Sequence, residues 1–224
     1  MEENFMLNIL FIGNSFTFVN DLPKMLEILA SGAGDKLSTA SVLRGGAYLH
    51  QFADPDHDLG KWLAEIYPTN DWDFIVLQDQ SFNPANNPKD FLDSAQKLCE
   101  QMNGSAKFLF YSTWAYRDQT EKLAKTGMTY SEMLTALTVS YRKAADIHHG
   151  IRVPVGDAFA LSTAEHPEID LYTADDYHPS PCGTYLAACL FYQAITGKSS
   201  ADLSVPEGVS AEQGSALRTI VKHF

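Results

Sequence analysis

Cysteine is scarce in this chain, and its spacing excludes two classes of site. The 224 residues contain three cysteines, Cys99, Cys182 and Cys189, and no Cys-x-x-Cys pair. An odd and sparse set does not form the disulfide framework of a small secreted domain, and its spacing is not that of a zinc site. We therefore expect reduced thiols, no bound metal and no cofactor.

The chain also lacks a long apolar run. The longest unbroken one, from Tyr185 to Tyr192, is far shorter than the roughly 20 residues that cross a bilayer. Residues 1–4 lack the basic start of a signal peptide, and the apolar residues after them continue into a strand candidate. We expect a soluble protein with no membrane partner, cytoplasmic as the sequence stands, and periplasmic or secreted if a leader has been removed.

Basic residues are few. The chain has 16 lysines and arginines against 28 acidic residues, for a formal charge of −12. Such a surface repels phosphate backbones, so we expect no nucleic-acid partner. A small molecule, neutral or cationic, is the favoured ligand, and nothing in the sequence indicates an oligomeric state.

What the sequence does contain is a regular alternation of strand and helix patterns. Predicted strands lie at residues 7–12, 37–43, 74–77, 107–111 and 151–155, and predicted helices at 22–31, 60–67, 89–102, 131–148, 181–196 and 211–222. Strands that alternate with helices pair in parallel. The sequence therefore predicts an α/β fold, a three-layer α/β/α sandwich with a five-stranded parallel sheet. The length favours one domain over residues 1–224.

A serine follows the first predicted strand. The continuously apolar run Leu7–Ile12 ends at Gly13-Asn14-Ser15, and an apolar strand of this kind is typical of a parallel sheet covered on both faces. The turn after such a strand is where α/β proteins place reactive groups. Ser15 is therefore a candidate nucleophile, although Gly, Asn and Ser are also common in ordinary turns.

An acid and a histidine stand three residues apart near the end of the chain, in Asp175-Asp176-Tyr177-His178-Pro179. A histidine that takes a proton from a serine needs its second nitrogen held by a carboxylate, and Asp175 can supply one to His178. The proline that follows disfavours helix at His178. A solvated surface loop is the alternative interpretation of so short a motif.

Taken in order, these motifs resemble those of the SGNH or GDSL hydrolase family. Gly-Asn-Ser lies near the start, Gly45-Gly46 follows the second strand, an amide segment follows the third, and Asp-x-x-His-Pro lies near the end. The chain is most similar to a bacterial branch of uncharacterised lipase-like or esterase-like proteins with GNS in place of GDS. The resemblance implies the flavodoxin-like fold of SGNH hydrolases, with Ser15 as nucleophile, His178 as general base and Asp175 as its orienting acid.

The resemblance also implies an oxyanion hole. Its donors would be the backbone N–H of Ser15, that of Gly46 or, as the second choice, Gly45, and a side-chain amide from the third motif. That motif is Gly-x-Asn-Asp in the family, whereas this chain has Gln78-Asp79-Gln80-Ser81. Gln80 falls on the family asparagine and is preferred over Gln78, although both can instead cap the strand end.

Four aromatic residues are candidates for a substrate-binding rim, namely Trp114, Tyr116, Tyr48 and Tyr177. The predicted function is hydrolysis of short-chain acyl esters through an acyl-enzyme, with deacetylation of a carbohydrate or another small polar scaffold as one form of it. Two alternatives remain open at this point: a weakly active or non-catalytic ligand-binding protein of the same fold, and a flavodoxin-like nucleotide binder.

Two further patterns match known sites only in part. Asp54-x-Asp56-x-Asp58 with Glu65 resembles part of a calcium loop, but Leu59 stands where the loop needs glycine. Thr196-Gly197-Lys198-Ser199 resembles the end of a phosphate loop, without its first glycine and without a preceding strand. Neither is expected to bind its ligand.

Overall fold

A computed structural model describes residues 5–224 and contains one five-stranded parallel sheet. The strands are β1 (Leu7–Gly13), β2 (Leu37–Leu43), β3 (Phe74–Leu77), β4 (Lys107–Tyr111) and β5 (Ile151–Val153). Their order in the sheet is β2-β1-β3-β4-β5, and every pair is parallel. The predicted α/β class and parallel sheet are confirmed.

Helices connect the strands and close the chain. They are α1 (Ser15–Phe18), α2 (Leu22–Gly32), α3 (Leu49–Ala53), α4 (Asp58–Ile66), α5 (Asn83–Asn86), α6 (Pro88–Gln101), α7 (Glu121–Ala124), α8 (Tyr130–Ile147), α9 (Val155–Glu165), α10 (Pro181–Thr196) and α11 (Ala211–Val221), with a 3₁₀ turn at Tyr67–Thr69. The long helices lie within two or three residues of their predicted bounds, because their caps are local: Asp21 caps α2, and Ser180 with Gly197 bounds α10.

The predicted end of the fifth strand is wrong. The fifth strand ends at Val153 and not at Val155, because Pro154 has no N–H for the ladder and stands at the N-cap of α9. Helix α9 itself was not predicted, since its apolar residues do not fall on one face. The segment with Asp175 and His178 therefore follows a helix rather than the last strand.

Helices cover both faces of the sheet. On one side α10 packs against α2, α9 and α11, and on the other α6 packs against α3 and α8. The inner strand residues are fully buried, as are most residues of α10. Apolar cover on both faces explains why β1 and β3 are continuously apolar in sequence.

The strand order creates a switch point beside β1. The chain moves outward from β1 to β2 and then returns to β3 on the other side of β1. In open α/β sheets, ligands bind beyond the carboxyl ends of the strands at such a point. Ser15 follows β1 and Gln78 follows β3, so both lie at this point. Within residues 5–224, no helix is both long and apolar enough to cross a membrane.

Candidate active site

The turn after β1 places Ser15 at the start of a short helix. Asn14 is the N-cap of α1, and its side-chain oxygen accepts the N–H of Phe16 at 3.2 Å. The same amide donates to the backbone oxygens of Ala47 and Asp79, each at 3.0 Å. Asn14 is 2% exposed. It therefore ties the serine turn to the segments that follow β2 and β3.

The segment that carries the acid and the histidine is a braced loop. Asp176 adopts a left-handed backbone with φ +69, a conformation that disfavours a residue with a Cβ. The backbone N–H of Arg117 donates to the oxygen of Asp176 at 2.9 Å, and its guanidinium also contacts the Asp176 carboxylate at 2.9 Å. Trp114 donates its indole N–H to the oxygen of Tyr177 at 2.9 Å. These contacts hold the loop on the protein body.

Ser15, His178 and Asp175 meet through two short contacts. The Nε2 of His178 lies 2.7 Å from the Oγ of Ser15, and its Nδ1 lies 2.6 Å from an Oδ of Asp175. The other carboxylate oxygen accepts the N–H of His178 at 3.0 Å and the hydroxyl of Thr173 at 2.8 Å. Residues 163 positions apart in the chain are thus brought together.

The electrostatics of the loop favour an ionised acid. Partial burial opposes ionisation of Asp175, but hydrogen bonds, chiefly from the ring and the backbone of His178, outweigh burial and hold its pKa well below the ordinary value. An ionised Asp175 accepts a hydrogen bond from Nδ1–H, which leaves Nε2 without a proton. The arrangement allows Nε2 to accept the proton of the Ser15 hydroxyl.

The turns after β1 and β2 contain backbone N–H groups without a partner in the described part of the chain. The N–H groups of Ser15, Gly45 and Gly46 have no acceptor among residues 5–224. Gly46 adopts φ +69, so a side chain there would strain the turn. Both glycines are exposed. The structure thus leaves unpaired donors where the family resemblance implies them.

The two glutamines after β3 have different surroundings. Gln78 is fully buried, and its amide oxygen accepts from the backbone of Asn14 at 2.9 Å and from Thr17 at 3.0 Å. Its amide nitrogen donates to the Oδ1 of Asn14 and to the backbone oxygen of Asp79. Both N–H bonds of Gln78 are used. Its side chain therefore fastens the Ser15 turn to β3.

Gln80 is only partly buried and keeps donor capacity. Its amide oxygen accepts from the backbones of Phe82 and Asn83 at 2.8 and 3.0 Å, which fixes the side chain. Its nitrogen has one long contact, 3.4 Å to the hydroxyl of Ser81. The Gln80 side chain also interacts with the Tyr116 hydroxyl, so its nitrogen is held less tightly than that of Gln78 but is not without neighbours. The contacts favour Gln80 over Gln78 as a side-chain donor.

Of the four candidate rim aromatics, Tyr48 and Tyr177 are half-buried, whereas Tyr116 at 4% exposed and Trp114 at 0% are buried. Tyr177 packs on the ring of His178 with centroids 4.1 Å apart and meets Tyr116 at 5.6 Å. Tyr48 is half-buried and adjoins the Gly46 turn. Trp114 is fully buried between Phe16 and Phe159. Its expected place in a surface rim is therefore wrong, because its indole supports the loop from beneath.

Two residues were missed in the sequence. Asp79 is fully buried beside Gln80, and Arg117 braces the acid–base loop. An acid directly after an apolar strand, between two glutamines, was the available signal for Asp79. Arg117 carries no sequence signal, because its contacts to Asp170 and Asp176 join segments more than 50 residues apart.

No group of three or more metal-binding side chains occurs in residues 5–224. In the segment that resembles a calcium loop, the carboxylate of Asp54 accepts the N–H of Asp56 at 3.0 Å, and Asp58 begins α4. This segment forms a turn and a helix start.

Comparison with known proteins identifies the fold and the family. No family model and no curated protein matches the chain. Among solved structures, a protein from Slackia heliotrinireducens described as an SGNH hydrolase is 31% identical, with a TM-score of 0.75, over 85% of this chain and 99% of that one. A DUF4886 family protein from Bacteroides uniformis is 20% identical, with a TM-score of 0.79, over 98% and 94%.

More distant structures share the fold. The psychrotrophic esterase EstA from Pseudoalteromonas sp. is 10% identical, with a TM-score of 0.60, over 85% of this chain and 97% of that one. The identity to the Slackia protein extends over nearly the whole length of that relative. This chain belongs to the SGNH hydrolase family.

Proposed function

We propose that this hydrolase is a serine esterase that cleaves short-chain acyl esters through an acyl-enzyme on Ser15. The observation that carries the proposal is the pair of contacts at His178, 2.7 Å to the Ser15 hydroxyl and 2.6 Å to the Asp175 carboxylate. Nucleophile and base within hydrogen-bond reach, with the base oriented by a third group, is the geometry that covalent acyl transfer needs.

In the first half-reaction, Nε2 of His178 takes the hydroxyl proton while Oγ of Ser15 bonds to the ester carbonyl carbon. The carbonyl π electrons move to oxygen, and the N–H groups of Ser15 and Gly46 and the side-chain amide of Gln80 donate hydrogen bonds to the developing oxyanion. The intermediate collapses, the bond to the alcohol oxygen breaks, and His178 returns its proton to the leaving alcohol.

In the second half-reaction, water attacks the acyl-enzyme. His178 takes one proton from the water, its oxygen bonds to the acyl carbon, and the second intermediate collapses with loss of Oγ. The proton returns to Ser15 and the carboxylic acid is released. Asp175 keeps its charge throughout and stabilises the imidazolium that forms in each half-reaction.

The surroundings of Ser15 support a short acyl group. Phe18, one helical turn after Ser15, is 43% exposed, and its ring comes within 3.8 Å of the Cβ position of Gly45. One exposed ring offers apolar contact for a small acyl chain. The half-buried rings of Tyr48 and Tyr177 suit the apolar face of a sugar, so an acetylated carbohydrate or another small polar scaffold is the proposed alcohol component.

Turnover of 4-nitrophenyl acetate, butyrate and octanoate tests the proposal. We expect acetate and butyrate to be cleaved with a higher kcat/KM than octanoate. Ser15→Ala should lower kcat by at least about 10³-fold, because the nucleophile is lost. Ser31→Ala, on the exposed surface of α2, is the matched control and should leave turnover unchanged.

A fluorophosphonate probe followed by peptide mass spectrometry identifies the acylated residue. We expect the label on Ser15 and its loss in His178→Ala, since the base activates the hydroxyl. Unchanged turnover in Ser15→Ala, or label on another serine, contradicts the mechanism. Labelling of Ser15 without turnover of any of the esters would support the alternative, a ligand-binding protein that has lost its hydrolytic activity.

A further inference from the structure

Asp79 is a buried carboxylate at the junction of three segments of the site. Its side chain is fully buried. One carboxylate oxygen accepts the backbone N–H of Leu49 at 2.8 Å and that of Gln80 at 2.7 Å, and the other accepts the side-chain N–H of Asn83 at 2.7 Å. The backbone oxygen of Asp79 accepts from Asn14 at 3.0 Å. Asp79 therefore contacts the segments that follow β1, β2 and β3.

These contacts join the two arms of the oxyanion hole. Leu49 begins α3, three residues after Gly46, and Gln80 carries the side-chain amide. A single carboxylate oxygen holds both backbones. Loss of a hydrogen bond to that oxygen would alter the distance between the Gly46 turn and Gln80.

The charge of Asp79 has no cationic partner. Within residues 5–224, no lysine, arginine or histidine lies within ion-pair distance of it. The groups that face it are the hydroxyl of Tyr141 on α8, which accepts its N–H at 3.1 Å, and Asp90 on α6, which shares the amide of Asn83 and contacts His50. A buried, unpaired carboxylate destabilises a fold unless its hydrogen bonds compensate.

We propose that Asp79 is the positioning residue of the oxyanion hole, and that its ionised form is required for activity. The proposal rests on the function proposed above. The groups around its oxygens are N–H donors, so a protonated carboxyl would direct its own O–H at a donor and lose one of the three contacts. A proton on the oxygen shared by Leu49 and Gln80 would separate Gln80 from the Gly46 turn. A proton on the other oxygen would release Asn83, whose backbone N–H holds the side chain of Gln80.

The pH profile of the unmodified enzyme gives the first test. Burial raises the pKa of Asp79 to about 6, and the nearby charge of Asp90 acts in the same direction. Protonation of Asp79 would disturb the oxyanion hole. We therefore expect kcat/KM for 4-nitrophenyl acetate to fall as the pH drops through about 6, and the midpoint of that fall to move to lower pH when the nearby charge of Asp90 is removed.

Two variants separate positioning from a general loss of structure. Asp79→Asn replaces one carboxylate oxygen, which accepts hydrogen bonds, with an amide N–H₂ that would face N–H donors. We expect kcat to fall by about 10²–10³-fold while KM changes little, because the contacts to the oxyanion form in the transition state. Binding of methylboronic acid, which forms a tetrahedral adduct on serine, should weaken in parallel. Asp90→Asn is the control: we expect it to keep the plateau activity and to move the fall in kcat/KM to lower pH, because the charge that raises the pKa of Asp79 is removed.

The outcomes are distinct. A pH midpoint of kcat/KM that is the same in Asp90→Asn and in folded, Ser15-dependent wild type overturns the role of Asp79 and leaves the esterase function intact, as does a wild-type kcat in Asp79→Asn. If Ser15→Ala does not reduce turnover, the esterase function fails and this proposal fails with it. If Asp79→Asn does not fold, the midpoint in Asp90→Asn decides the matter.

Discussion

The buried charge of Asp79 predicts that this protein becomes more stable on mild acidification. Burial raises the pKa of this carboxyl from 3.8 to about 6. Between those values the folded state binds a proton that the unfolded state does not, so the free energy of unfolding rises as pH falls from 7 towards 4. Carboxylates whose pKa is lowered by hydrogen bonds, Asp175 among them, act in the opposite direction, but mainly below about pH 5.

The magnitude follows from the size of the shift. An increase of about two pKa units corresponds to about 3 kcal/mol of destabilisation by ionised Asp79 at pH 7.5. At pH 5, which is one unit below the raised pKa, protonation of Asp79 removes about 1.4 kcal/mol of this destabilisation. For a chain of this length that is an increase in Tm of about 3–6 °C.

Urea unfolding and calorimetry at pH 7.5 and pH 5 measure this gain. His148, whose pKa burial lowers, acts in the opposite direction over the same range, because it resists protonation in the folded state. The comparison with Asp79→Asn therefore isolates the effect of Asp79. We expect wild type to gain about 1.4 kcal/mol over the variant between the two pH values, and Asp90→Asn to gain less than wild type.

Equal pH dependence in wild type and Asp79→Asn would refute the reasoning. It would mean that Asp79 titrates near its ordinary pKa, either because water reaches it or because its three hydrogen bonds offset its burial. The same conclusion follows if the Tm of wild type and that of Asp79→Asn fall by the same amount from pH 7.5 to pH 5. The smaller gain in stability expected for Asp90→Asn would then be refuted as well.

Three further changes test other parts of the structure. Asp175→Asn should lower kcat by about 10³–10⁴-fold with little change in Tm, because the imidazole loses its orienting charge; steady-state kinetics and calorimetry measure both. Gly156→Ala should destabilise the fold by about 3 kcal/mol in urea unfolding, since a Cβ there lies 2.2 Å from the backbone oxygen of Thr113, whereas Gly32→Ala in α2 should not. Arg117→Met should lower kcat, because the Arg117 ion pairs hold the acid–base loop, and should lower the free energy of unfolding by only about 1 kcal/mol, because those ion pairs are partly exposed. An unchanged kcat would show that Arg117 does not position the loop.

The secondary structure was largely predictable because its signals are local. The helix Pro181–Thr196 is bounded by a serine cap, a proline in its first turn and a glycine after its end, all of which act within a few residues. Helix α9 was missed because Gly156 and its neighbours follow no amphipathic pattern. Its buried residues include Gly156 and Ser162, so tertiary packing rather than a local apolar pattern stabilises that helix.

The catalytic candidates were predictable for a different reason. Ser15, Asp175 and His178 lie in short segments that resemble those of a known family, and Ser15 also stands at the carboxyl end of a parallel strand, where α/β proteins place reactive groups. The aromatic rim was harder, because sequence does not distinguish an exposed ring from a buried one. Trp114 is the example, since its indole is fully buried.

The sequence by itself determined the parallel sheet, the order of the motifs and the residue types of the site, because apolar patterning, caps and turn residues act over short distances. Only the tertiary structure showed that the Gln78 side chain is committed within the protein, since it bonds to Asn14 across a separation of 64 residues. The same holds for Asp79, whose partners Leu49 and Gln80 meet only when the segments after β2 and β3 pack together. Hydrogen bonds between distant segments form after the chain has folded, and no local pattern encodes them.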